Sequence, residues 1–217
     1  MLFSDPEGGP AETVVTEWRD YPEWHRGRAR YGVWLVPLLD PALLGYLREA
    51  RRQLADLLHP DTERQPHLTV FVCGFEQPAR VADDNFSPQQ LQAQVGLLQR
   101  MRGPAFTLPL GRPDSFASAA FLPVGDPDGR LDGWRRMLGE AASEVRQAAY
   151  IPHVTLGLYR RKVDADTVRR RLAQLAPPPL PLRVGQLHYA TYDARVLFGP
   201  LESRHRLLLE AETDGAG

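Results

Sequence analysis

The chain repeats itself at an interval of 86 residues, and no other feature narrows its fold as much. Leu35-Val36-Pro37-Leu38-Leu39-Asp40-Pro41 is answered by Phe121-Leu122-Pro123-Val124-Gly125-Asp126-Pro127, and Pro66-His67-Leu68-Thr69 by Pro152-His153-Val154-Thr155, each 86 positions on (121 − 35 and 153 − 67). In both copies an apolar run reads as a buried strand. It leads to an Asp-Pro pair, which supplies a helix N-cap and a proline at the first helical position. A long helical stretch and a Pro-His-x-Thr strand follow. Self-similarity at a fixed period marks a duplicated structural unit, and its simplest arrangement is two lobes related by a pseudo-twofold axis. At 217 residues the chain is thin for two independent cores, so one core built from two half-size copies is expected.

Residues 1–28 are polar and contain Gly and Pro, with Trp18 and Trp24 as the large apolar anchors, and predict an irregular leader. Residues 29–217 read as a single domain. Helices are predicted over about 41–58, 88–101, 128–147 and 164–175, and strands over about 31–36, 66–75, 105–112, 116–124, 152–159, 180–192 and 197–210. Strands and helices alternate through short connections without a break in composition, which indicates an α/β or α+β domain.

Charge and cysteine content narrow the function classes. The 26 basic and 27 acidic residues leave a formal net charge of −1, against a protein that holds nucleic acid by a large basic excess. A short basic groove gripping one or two phosphates stays open. Cys73 is the single cysteine, so neither an intrachain disulfide nor a Cys-based metal cluster is expected, and the chain suits a reducing cytoplasm. Neither a signal peptide nor a run of about 18 apolar residues is read, so no membrane association is expected.

Two of the six histidines share the Pro-His-x-Thr context, a coincidence on the order of one in several thousand at this chain's own Pro and Thr frequencies. On a strand, residues i and i+2 face the same side. His67 with Thr69, and His153 with Thr155, therefore each present an imidazole and a hydroxyl together. If the twofold axis passes between the strands, both pairs face one cleft. Two facing imidazoles suit phosphodiester displacement without a metal. One, neutral, takes a proton from the attacking oxygen; the other, protonated, gives one to the leaving oxygen. The threonine hydroxyls can donate to phosphoryl oxygens. His25, His59, His188 and His205 lack such partners and read as structural.

These paired motifs within a duplicated α/β lobe resemble the two-histidine (2H) phosphoesterase superfamily, which includes the RNA 2′,3′-cyclic phosphodiesterases, also called 2′–5′ RNA ligases. The resemblance runs from about Tyr31 to Glu210 and takes in Phe106–Phe116, similar to the family's linking strand pair, and Leu187–Tyr192, similar to its penultimate strand. It implies an open bilobal fold, with mainly antiparallel sheets flanked by helices around a central cleft. It also implies hydrolysis of a 2′,3′-cyclic phosphate to a 2′-phosphate, or reversible handling of 2′–5′ linkages, with no metal or other cofactor. By motif position the catalytic pair is His67 and His153, with Thr69 and Thr155 as phosphate ligands. Bacterial members of the ligase branch often carry an arginine five residues after the second histidine, where this chain has Leu158. Strand alternation instead places Tyr159 and Arg161 on the side of His153, Tyr159 to stack on a base and Arg161 to hold a phosphate, although Arg160-Arg161-Lys162 equally reads as a solvated strand end.

The expected partners are RNA 3′ ends or nucleotide cyclic phosphates, with no obligate protein partner and a monomer compatible with the pattern. Two other readings stay open: the same chemistry on a small cyclic nucleotide or an ADP-ribose cyclic phosphate, and a module that binds nucleotides or RNA ends without turnover. A zinc hydrolase is disfavoured, because no His-Glu-x-x-His, Cys pair or carboxylate at ligand spacing accompanies the histidines.

Overall fold

The computed structural model describes residues 1–60, 62–145 and 148–211; the end of the helix expected over 128–147 and the last six residues of the expected domain fall outside these. Strand β1 (Arg30–Pro37) alternates as a doubly covered strand must, with Tyr31, Val33 and Leu35 packing on one side and Trp34 and Val36 on the other. Helix α2 (Pro41–Gln53) starts as read, because the Asp40 carboxylate accepts from the backbone N–H groups of Ala42 and Leu43. Helix α3 (Pro88–Arg100) begins at a reciprocal Ser87/Gln90 capping box.

The second Asp-Pro pair behaves differently from the first. Gly129 takes up left-handed backbone at φ 65°, and α4 (Arg130–Ala141) begins only after it. The Asp126 carbonyl accepts from Gly129 N–H and its carboxylate from Asp132 N–H, so the aspartate organises a turn ahead of the helix. The helix expected from residue 128 is thereby shortened at its start.

The remaining elements are α1 (Pro22–His25), β2 (His67–Glu76), β3 (Asn85–Phe86), β4 (Phe106–Leu108), β5 (Asp114–Ser115), β6 (Ala119–Pro123), β7 (His153–Leu158), α5 (Ala165–Ala173), β8 (Leu182–Val184), β9 (Gln186–Asp193) and β10 (Glu202–Leu208). One sheet runs through the molecule in the order β10-β9-β1-β2-β7-β6-β5, while β4 and β8 form a separate ribbon. All pairings are antiparallel except that of β3 with β2. The fold is thus the mixed, mainly antiparallel duplicated α/β architecture expected.

The seam between the copies is the pairing of β2 with β7 at Leu68 and Val154. These are equivalent positions of the repeat (154 − 68 = 86), so a local twofold axis passes between them. The duplication extends to backbone detail. β1 on β2 pairs Pro37 with His67 and Leu35 with Thr69; β6 on β7 pairs Pro123 with His153 and Phe121 with Thr155. Immediately beyond, each His strand carries one extra residue, Val70 in β2 and Leu156 in β7, as a β-bulge. Past the bulge each strand leaves the seam and accepts from the segment after a helix: His59 N–H to the Leu158 carbonyl at 2.9 Å and Val145 N–H to the Val72 carbonyl at 3.0 Å. At Gly157 this approach is tight, since a Cβ there would come within 2.9 Å of Leu58 Cδ1.

Helix α2 packs on β7 and α4 on β2, each on the strand of the other copy. The two copies consequently share one apolar core that includes Leu47, Leu54, Leu68, Leu131, Leu138 and Val154. The leader joins it through Phe3, fully buried, whose N–H bonds the Ser115 carbonyl. Trp18 and Trp24, expected as the anchors, are 53% and 38% exposed. The reason is the leader's path: Thr13 and Thr16 bond the backbone of Val163 and Tyr159, which places the N-terminal end over the core and the tryptophans at the periphery. Among the described residues no helix is long and apolar enough to cross a membrane.

Leu68 is fully buried at the seam, so Leu68→Ala should destabilise the protein by about 2–5 kcal/mol in urea unfolding, whereas exposed Leu39→Ala should stay within about 0.5 kcal/mol. Equal, small effects would contradict a core shared across the seam.

Candidate active site

The register at the seam dictates the site. With Leu68 opposite Val154 in antiparallel pairing, His67 stands opposite Thr155, and Thr69 opposite His153. Leu68 and Val154 are fully buried on the helix side. Alternation therefore sends the two histidines and two threonines to the opposite face, where all four retain solvent access. The histidines occupy a diagonal of the strand pair, where neighbours lie about 7–8 Å apart. Two imidazoles so placed can flank one phosphorus, with a threonine beside each.

Each ring is oriented by the same device. Nδ1 of His67 lies 2.7 Å from the Gln65 carbonyl, and Nδ1 of His153 lies 2.7 Å from the Ile151 carbonyl. A carbonyl only accepts, so Nδ1 carries the proton in both rings and Nε2 is the nitrogen that exchanges protons. Gln65 and Ile151 are themselves 86 residues apart, so the tautomer is set by the repeated backbone path.

Beyond that device the two halves differ. Against His153 lie the rings of Phe116 and Phe121, at centroid distances of 5.1 and 5.3 Å. Near His67 lies Arg64, whose guanidinium sits 4.0 Å over the Tyr192 ring and donates from Nη2 to the Leu197 carbonyl at 3.0 Å. Arg64 Nε is buried without a hydrogen-bond partner, and among the described residues no carboxylate pairs with this side chain. Burial holds the Arg64 guanidinium below its ordinary range. A cation kept dry without a counter-ion is a preformed attraction for an anion. Burial also drives His67 down to about 4, against an opposing pull from the Gln65 hydrogen bond, with Arg64 and His153 each adding a smaller like-charge push. His67 is thus neutral at neutral pH.

A groove of about 240 Å³ opens beside the seam, and its lining includes His67, Thr155, Arg64, Leu158, His59 and Phe198. Two residues expected in it are elsewhere. Tyr159 is 1% exposed inside the main core, where its hydroxyl shares a hydrogen bond with Ser115 Oγ at 2.8 Å, so it cannot stack on a base. The bulge at Leu156 is the cause: it puts one extra residue on the helix side, reverses the alternation and turns Leu158 rather than Tyr159 toward the groove. Arg161 points away as well, bonding the Asp56 carbonyl at 3.0 Å and its carboxylate at 3.2 Å as an exposed strand end. Arg64 and His59 were missed from the sequence. Their equivalents in the repeat are Tyr150 and Val145, so a break in the symmetry was the only available signal. Among the described residues no three His, Cys, Asp or Glu side chains converge as a metal-ligand set.

The shift on His67 carries a stability signature. The unfolded chain takes up this proton near 6.5 and the folded protein only near 4, so between these values the unfolded state binds more protons and stability falls as pH is lowered. His67→Gln should flatten the dependence of the urea midpoint on pH over that window. An undiminished slope in the variant would show that His67 does not titrate low.

Comparison with known proteins bears on the fold and the family. The family described as the 2′-5′ RNA ligase superfamily matches residues 39–195, well over half of the chain. Similar solved structures include Escherichia coli LigT in apo form, at 17% identity and TM-score 0.58 over 84% of this chain and 99% of that one. LigT complexed with phosphate matches at 20% identity and TM-score 0.55 over 84% and 99%. Kluyveromyces marxianus Usb1 matches at 14% identity and TM-score 0.50 over 77% and 98%. Comparison with curated proteins gives no match. With the paired motifs on one strand seam, a shared fold and a family match spanning both lobes, the chain belongs to the 2′-5′ RNA ligase superfamily of two-histidine phosphoesterases.

Proposed function

We propose that the protein is a phosphoesterase acting on RNA ends that carry a 2′,3′-cyclic phosphate, opening them to the 2′-phosphate by acid–base catalysis between His67 and His153. The observation that carries this reading is the pair of Nδ1-anchored imidazoles on the diagonal of the seam, each with a threonine beside it. Neutral His67 is the base and His153, by elimination, the acid. His67 Nε2 takes a proton from water as the water oxygen bonds to phosphorus. The P–O3′ bond breaks, and the O3′ oxygen receives the proton from His153 Nε2. The product is a 2′-phosphomonoester and a free 3′-hydroxyl, with each imidazole left in the other's starting state.

Thr69 and Thr155 hold the non-bridging oxygens, and Arg64 attracts the phosphate and opposes protonation of His67. With a 5′-hydroxyl in place of water, the same transfers join two RNA ends through a 2′–5′ linkage. LigT, which shares the fold, has been crystallised with phosphate and with 3′-AMP, which accords with a phosphate-recognising cleft.

Purified protein in EDTA should convert an oligoribonucleotide 2′,3′-cyclic phosphate to the 2′-phosphate, and His67→Ala or His153→Ala should each slow this by roughly 100-fold or more. Full activity in either variant, or abolition by EDTA alone, would overturn the reading. The acid limb of kcat/KM should lie near pH 4, where His67 is protonated and ceases to act as a base. Arg64→Gln removes a like-charge push, so this limb should move to higher pH while kcat/KM drops roughly tenfold. A downward or absent movement would contradict the placement of Arg64.

A further inference from the structure

The groove does not end at the phosphate chemistry. Besides His67 and Thr155 its lining includes His59 and Phe198, whose ring centroids lie 5.7 Å apart. Trp18 of the leader meets both rings edge-on, at 4.7 Å from Phe198 and 5.6 Å from His59, yet remains 53% exposed. His59 is tied to the same leader, since its Nε2 lies 2.7 Å from the Thr16 carbonyl. Arg64 touches on both sides of the groove's chemistry: its charge opposes protonation of His67, and its Nη2 donates to the carbonyl of Leu197, the residue before Phe198. Neither Trp18 nor Phe198 falls within residues 39–195, the span matched by the family.

Phosphate-directed side chains, a cation and an aromatic group on one groove match the parts of a nucleotide: phosphate and base. Aromatic side chains in nucleic-acid grooves take bases on their π-faces without regard to sequence. The chain's near-neutral charge leaves little for a long phosphate backbone, which shifts recognition onto the terminal nucleotide.

Resting on the phosphoesterase reading for the identity of the phosphate end, we propose that Trp18, His59 and Phe198 form a nucleobase subsite, so that the leader is a substrate-recognition element and the substrate is a nucleoside phosphate held by stacking. A cyclic phosphate lacking a base would engage only half of this groove.

Calorimetric binding of adenosine 2′-monophosphate and of inorganic phosphate tests this without relying on turnover. The wild type should favour the nucleotide over phosphate. Trp18→Ala and Phe198→Ala should each reduce that preference roughly fivefold or more, and Trp18→Phe should keep most of it. Because Trp18 is half exposed, its variants should fold, and an unchanged urea midpoint verifies this. Retention of the full preference in both alanine variants, or no preference in the wild type, would overturn the subsite. Trp18-dependent preference in a protein that leaves the cyclic-phosphate RNA end unreacted would uphold the subsite and overturn the phosphoesterase reading instead.

Discussion

The antiparallel contact of Leu68 with Val154 is the constraint on which everything else rests. An antiparallel pair is symmetric about an axis normal to the sheet, so pairing a strand with its own duplicate at equivalent residues generates the pseudo-twofold automatically. The same contact faces two buried aliphatic side chains into the core and leaves the residues on either side of each no choice but the other face. A slip of either strand by one residue would bury that strand's histidine and threonine and expose its Leu68 or Val154. The apolar core thus enforces the alignment of the polar site. Exchange of helices across the seam, α2 onto β7 and α4 onto β2, makes the pairing expensive to open.

Symmetry builds the site, and departures from it divide the labour. Both imidazoles inherit the same tautomer from carbonyls at equivalent positions. Their surroundings then diverge. His67 shares a desolvated environment with a guanidinium, which favours its neutral form. His153 sits against two phenyl rings, at positions where the first copy has Arg30 and Leu35. Displacement at phosphorus needs one proton acceptor and one donor, so an enzyme descended from a symmetric pair requires some such inequality. In the proposed reaction that inequality comes from Arg64, where the second copy has Tyr150.

The interval of 86 made the duplication, the pairing of the two motifs and the four central side chains legible in the sequence, because identical spacing survives only where two copies must match in space. Backbone irregularity was not legible. A bulge shifts the phase of a strand without a residue that announces it, since Val70 and Leu156 are ordinary strand formers. Counting by twos past Thr155 therefore assigned Tyr159 to the groove when it belongs to the core. The leader misled for a related reason. Large aromatics are ordinarily anchors, but the burial went to Phe3, and Trp18 was left half exposed against His59 and Phe198 by a path that depends on pairing with residues about 150 positions away. Arg64 and His59 gain their significance from what surrounds them in space, which local pattern does not encode.

The central claim is that the four motif side chains act on a single phosphorus. A crystal structure of the protein with a nucleoside 2′-phosphate bound tests it most directly. The account predicts one phosphoryl group within hydrogen-bonding distance of Nε2 of both His67 and His153 and of the hydroxyls of both Thr69 and Thr155. A phosphate held by one motif alone, or bound away from the seam, would contradict it.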